Sequence, residues 1–230
     1  MPIWPMYQEV AAIVLRVTAR QGFALAGANA LISHGFLSRP THGVDLVTDQ
    51  EGKVERADVL AVEALTSAGF TVWPAEPEQT VSTLGALSPG PADEHVCWQV
   101  IAPYGRRRGL MRLAYTARGA APAARDFGPV LHPEDAAGAV VCSIALRRSP
   151  EGRLYGKRTD YRDGAALLGR WSAAELAVFA RRIAPALTDD DLAAAGRKLD
   201  SWPDSIFSWP EPVSPADVAA LRRRFAGWPR

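Results

Sequence analysis

The chain predicts an α+β fold leading into a helical region, and three observations carry that reading. Runs with β-type alternation are confined to the first half. Beyond Pro133 the apolar positions recur at helical spacing to the end, and a Pro- and Gly-containing stretch, 119–129, separates the two regimes. The expectation is a mixed sheet with flanking helices over residues 1–128 and a helical domain over 129–230.

Each element has its own signal. Val10, Ile13, Val14 and Val17 form one face of an amphipathic helix over 7–20. Phe23–Ala26 reads as a short buried strand, Gly27 as a turn, the residues to His34 as a helix, and Val44–Val47 as a second strand. Val54, Ala57, Val59, Leu60, Ala64 and Leu65 predict a helix that Gly69 stops, followed by a strand at Phe70–Trp73. Residues 75–93 are rich in Pro, Gly, Ser and Glu and read as a loop. Val96–Ala102 and Leu110–Thr116 predict a hairpin whose tip carries Arg106, Arg107 and Arg108, and 119–129 reads as a linker. Helices are expected over 133–148, 159–170, 172–183, 188–199 and 214–225. Ser172 with Glu175 makes a capping box, and Ser214-Pro215 is a helix start.

Composition narrows the function classes. A net charge of +1 gives no global basic field for nucleic acid, although arginines cluster at 106–108, 147–148, 181–182 and 222–224. Such clusters are also common at solvated helix ends. Cys97 and Cys142 lie in apolar runs, like small core residues rather than a disulfide pair. No stretch reads as a secretory leader or a membrane span, so a cytoplasmic protein is expected.

The chemistry concentrates between Phe23 and Asp49. Small residues at Ala26, Gly27 and Ala28 let the backbone approach another group closely, and the helix start behind them favours an anion, with Asn29 as a side-chain donor. Asp45 sits in the strand Val44-Asp45-Leu46-Val47, where an ionised carboxylate needs a partner or a metal. The order Leu25, Gly27, Ala30-Leu31, His34-Gly35, Arg39, Thr41, Val44-Asp45-Leu46 resembles the opening motif of the AbiE-type nucleotidyltransferase toxins, within the DNA polymerase β-like superfamily. A second patch, Lys157-Arg158-Thr159-Asp160-Tyr161-Arg162-Asp163, resembles that family's later R-x-R-D-Y-x-D-L run.

The resemblance implies a nucleotidyltransferase-like sheet and transfer of nucleotides from an NTP to an RNA acceptor such as tRNA. It implies Mg²⁺ and a neutralising antitoxin protein. By the same implication Asp45 holds metal, Asp160 serves the reacting end, and Asp163 orients the helix. Gly27, Asn29, Arg39, Thr41, Lys157 and Arg158 face the nucleotide. Three departures point elsewhere. Gly43 stands where the first acid of the metal pair belongs, Arg112 is the only charge in the strand expected to supply a third acid, and no lysine lies in the preceding helix. Two metals need carboxylates from more than one position. The alternative is therefore a protein that keeps the fold and binds nucleotide, RNA or protein without the transfer. His42 reads as a surface histidine, Asp160 equally as a helix-capping acid, and Trp202, Trp209 and Trp228 as a clamp on the last helix.

Overall fold

A computed structural model describes residues 5–75, 95–103, 107–146, 158–203 and 214–228. The loop of 76–94, the tip residue Arg106, Lys157 and Trp209 lie outside them. Helices α1 (Pro5–Thr18), α2 (Gly27–Ser33) and α3 (Val54–Ser67) are interleaved with strands β1 (Ala24–Ala26), β2 (Gly43–Thr48) and β3 (Thr71–Pro74). Strands β4 (His95–Ile101), β5 (Arg108–Tyr115), β6 (Ala123–Arg125) and β7 (Gly128–Val130) follow. Helices α4 (Pro133–Leu146), α5 (Arg158–Leu167), α6 (Ala173–Ile183), α7 (Asp189–Ser201) and α8 (Pro215–Phe225) complete the chain.

The strands form one mixed sheet in the order β3-β4-β5-β2-β1-β7-β6, with β2 parallel to β5 and β1 parallel to β7. The stretch 119–129, expected as a linker, carries the β6–β7 hairpin instead. Its strands are three residues long and hold Pro129, too short for an alternation to register. Through β7, Val130 pairs with Leu25 of β1, so a boundary drawn after residue 128 falls inside a strand of this sheet.

Alternation decides the two faces of the sheet. On β5, Gly109, Met111 and Leu113 are buried, and a Cβ on Gly109 would lie 2.4 Å from the Tyr7 ring of α1. Trp98 of β4 donates its Nε1–H to Asp58 of α3 at 2.5 Å. These residues therefore face α1 and α3. Arg108, Leu110 and Arg112, in the alternate positions, face the other way. On β2, Val44, Leu46 and Thr48 share the α1 side, and Gly43, Asp45 and Val47 the opposite one.

The helical half is also closely packed. A Cβ on Gly138 of α4 would lie 2.6 Å from the Phe179 carbonyl oxygen, so α4 and α6 approach each other at backbone distance. Capping boxes start α6 (Ser172 with Glu175) and α7 (Thr188 with Asp191), and Ser214 caps α8 ahead of Pro215. Trp228 donates to the Leu192 carbonyl at 2.8 Å, and Tyr161 lies edge-on to Trp202 at 4.8 Å. Trp228 thus ties the segment after α8 to α7, and Trp202, at the end of α7, packs on α5.

Candidate phosphate-binding site

The site is built where β1 ends, β2 crosses it and β5 runs alongside. Asp45 pairs in register with Ala26 on one side and Arg112 on the other, and Arg112 pairs with Cys97 of β4. One row of side chains, Cys97–Arg112–Asp45, therefore crosses three strands on one face. Asp45 Oδ1 and Arg112 Nε lie 3.2 Å apart, both buried and off the line of a hydrogen bond. The guanidinium sits against the carboxylate on the flank where the resemblance places further acids.

Gly27 closes over the other carboxylate oxygen. Its φ is +60°, a left-handed value, and a Cβ there would fall 2.3 Å from Asp45 Oδ2. Two independent restraints therefore require glycine: the backbone conformation and the space that Asp45 occupies. Gly43, two residues before Asp45, is held differently. A Cβ at Gly43 would lie 2.6 Å from the Leu110 backbone oxygen, because β2 and β5 run too close for a side chain.

Asn29 is buried and ties this corner together. Its amide donates to the Gly43 carbonyl at 2.7 Å and its oxygen accepts from Thr41 Oγ1 at 2.8 Å. Asn29 and Thr41, both expected to face a nucleotide, thus hold β2 against α2. Arg39 leaves the same loop and forks onto Asp163 of α5. Its Nε donates to Oδ1 at 2.7 Å, one terminal nitrogen donates to Oδ2, and the other donates to the Pro40 carbonyl at 3.0 Å. Burial holds the Asp163 carboxyl above its ordinary value, and the Arg39 fork, which lowers it, offsets that only in part. Burial works against the Arg39 charge, but Asp163, then Asp160 and Asp45, hold the guanidinium more firmly protonated. Asp45, Arg39, Asp160 and Asp163 are therefore one electrostatic neighbourhood, assembled from both halves of the chain.

Other expected residues fall elsewhere. His42 is exposed, and Arg158 opens α5 with a side chain outside the described atoms. Nearby, His34 Nε2 lies 2.8 Å from the Leu131 carbonyl and Nδ1 lies 3.1 Å from an Arg125 terminal nitrogen. A carbonyl can only accept and a guanidinium can only donate, so the ring is neutral with its proton on Nε2. Burial lowers its pKa, against the Leu131 bond that raises it. Burial also pushes the Cys142 thiol up to about 12, leaving it inert, and raises Cys97 beside Arg112 and Asp45.

A pair of divalent ions does not fit this donor set. Among the described residues no group of three His, Cys, Asp or Glu side chains is placed to hold a metal. Asp45 is flanked by a fixed cation, and Gly43 has no room for an acid. The row offers a guanidinium where a metal would offer its charge, and a guanidinium binds phosphate oxygens directly.

No protein-family model matches the chain, and no curated protein matches it in sequence. Solved structures do match in fold. JHP933 from Helicobacter pylori superimposes with a TM-score of 0.55 at 11% identity, over 95% of this chain and 88% of that one. A "putative nucleotidyltransferase from H. pylori" gives 0.54 at 11%, over 95% and 91%. The fold is nucleotidyltransferase-like. Among the described residues, no helix is long and apolar enough to cross a membrane.

The sequence marked Arg112 only as the one charge on the strand expected to supply a third acid. Its partnership with Asp45 depends on the β2–β5 register, which joins residues 67 apart in the chain. Trp73 and Gln99, which line the same face farther out, left a signal only in the alternation of β3 and β4.

Proposed function

We propose that this protein uses a nucleotidyltransferase-like fold to bind a phosphate-bearing ligand without two-metal transfer chemistry. The Arg112 guanidinium against Asp45 carries this reading, since it neutralises the one acid of the strand pair and presents a phosphate-binding group in its place. Gly43 supports it, because the Leu110 carbonyl keeps an acid out of the neighbouring position. Arg39 and the α2 turn define the rest of the site rim. Binding of ATP or inorganic triphosphate, measured by calorimetry in EDTA, is expected with unchanged affinity when Mg²⁺ is added. Arg112→Ala is expected to weaken it by about tenfold or more, as for the loss of one charge-assisted contact. Affinity that appears only with Mg²⁺ overturns the reading.

One observation favours the transfer reading implied by the AbiE-type resemblance: Arg39 brings Asp160 and Asp163 of α5 into the neighbourhood of Asp45. In that reading Asp45 holds Mg²⁺, Asp160 serves a tRNA 3′ end, and an antitoxin controls the product. Incubation of the protein and total tRNA with each α-³²P NTP and Mg²⁺ or Mn²⁺ separates the two. No label is expected. Label that disappears with Asp45→Ala establishes the transferase instead.

A further inference from the structure

Beyond Arg112 the sheet continues toward its β3 edge, and among the described residues the helix packed on these strands is α3, on the other face. Register places Trp73 opposite Gln99, Gln99 opposite Leu110, and Leu110 opposite Gly43, all on the face that carries Asp45. Helix α3 packs on these strands from the other side, where Trp98 meets Asp58. Trp73 is 59% exposed, one of three exposed large apolar side chains among the described residues. An indole held on a strand, an amide beside it and the Arg112 guanidinium two residues beyond Leu110 form the combination that binds a base and its phosphates. The aromatic face stacks on any base, the amide hydrogen-bonds a base edge, and the cation takes the phosphates.

The distances agree with one occupant. Trp73 and Leu110 are two strand spacings apart and Arg112 lies two residues beyond Leu110, so the Trp73 and Arg112 backbones are about 12 Å apart on the diagonal. That suits a single nucleoside triphosphate lying across β4 and β5. We infer that this face is a nucleobase platform, in which Trp73 stacks on the base of a nucleotide whose phosphates reach Arg112, with Gln99 at the base edge. The inference rests on the phosphate-binding reading and adds to it the part of the ligand that is not phosphate.

The two can be separated by comparing ATP, GTP, CTP and UTP with inorganic triphosphate, titrated in EDTA into the full-length chain and followed by calorimetry. Wild type is expected to bind the nucleotides about tenfold more tightly than inorganic triphosphate, as for one stacked base. Trp73→Ala is expected to erase that difference while leaving inorganic triphosphate affinity unchanged, and Trp73→Phe to keep most of it. Arg112→Ala is expected to weaken both ligand types. Nucleotides that bind no better than inorganic triphosphate, or a difference that survives Trp73→Ala, overturn the platform and leave the phosphate site standing. A wild type that binds neither overturns both.

Discussion

Arginines do different work in the two halves of this molecule. In the helical half they come in sequence clusters, and they serve helix ends. Arg181 pairs with Asp189 at 2.5 Å and Arg182 with Glu134 at 2.6 Å. Arg222 donates to the Leu199 carbonyl at 3.0 Å and to that of Trp202, and Arg224 donates to the Ala165 carbonyl at 3.0 Å. Each of these neutralises the carbonyl end of a helix or bridges two helices. In the sheet half the two arginines that matter, Arg39 and Arg112, stand alone in sequence. Both face carboxylates across the site. Clustering in the chain therefore does not mark the arginines of the candidate site. Register decides it.

That contrast can be attacked most severely at Arg39. Arg39→Ala leaves Asp163 buried without its fork, and a loss of about 3–5 kcal/mol in urea unfolding is expected. Asp163→Asn in the Arg39→Ala background is expected to recover part of it, since the neutral amide is easier to bury. A loss below about 1 kcal/mol would mean that the fork is no more than a surface pair.

Gly43→Asp comes next. The overlap with the Leu110 carbonyl predicts about 1–3 kcal/mol of destabilisation, the usual cost of forcing extra atoms into a packed site. Gly43→Ala is expected to show most of that loss, because the Cβ makes the clash. A Gly43→Asp protein as stable as wild type, and newly active in the labelling assay, would show that the glycine is an ordinary lost acid.

A smaller effect sharpens the comparison between halves. Arg222→Ala is expected to leave triphosphate affinity within about twofold while costing about 1 kcal/mol of stability through the lost carbonyl contacts. Arg112→Ala is expected to do the reverse. Equal effects of both on affinity would mean that binding follows overall charge rather than the strand register.

The smallest effect is a pH dependence. His34 is held neutral between Leu131 and Arg125, and burial keeps its folded pKa below the unfolded value. Stability from this site is fully present above about pH 6.5. Below that the unfolded chain takes up a proton that the folded ring resists, so stability falls until pH passes the folded pKa. Urea midpoints at pH 7.5 and 5.5 measure it, and His34→Gln is expected to remove that part of the slope.

Much of this could be read beforehand, for reasons that particular residues show. Local signals carried far: the Ser172 capping box, the Ser214-Pro215 start, and the Gly27 turn between a strand and a helix all stand where they were expected. Within the site, what depended on one position alone was also legible, such as Asp45 on a strand and Gly43 beside it. What depended on two distant segments was not. Nothing in Leu110–Tyr115 says that Arg112, rather than Leu110, lies opposite Asp45, because a two-residue slip keeps every side chain on its own face and leaves the alternation unchanged. Asn29 looked like a ligand donor because a buried amide and a free one have the same letter. Only the Gly43 carbonyl and the Thr41 hydroxyl reveal its duty.

The close approach of Gly43 to Leu110 has a consequence for anyone who wishes to redesign this site. The obstructing atom is a main-chain oxygen, so no choice of residue at 110 removes it. Restoring an acid beside Asp45 would require β2 and β5 to part or slide, and the Asn29 bond to Gly43 and the strand pairing both oppose that movement. The glycine is thus held by the main chains of two strands, and an acid in its place comes only with a movement of both.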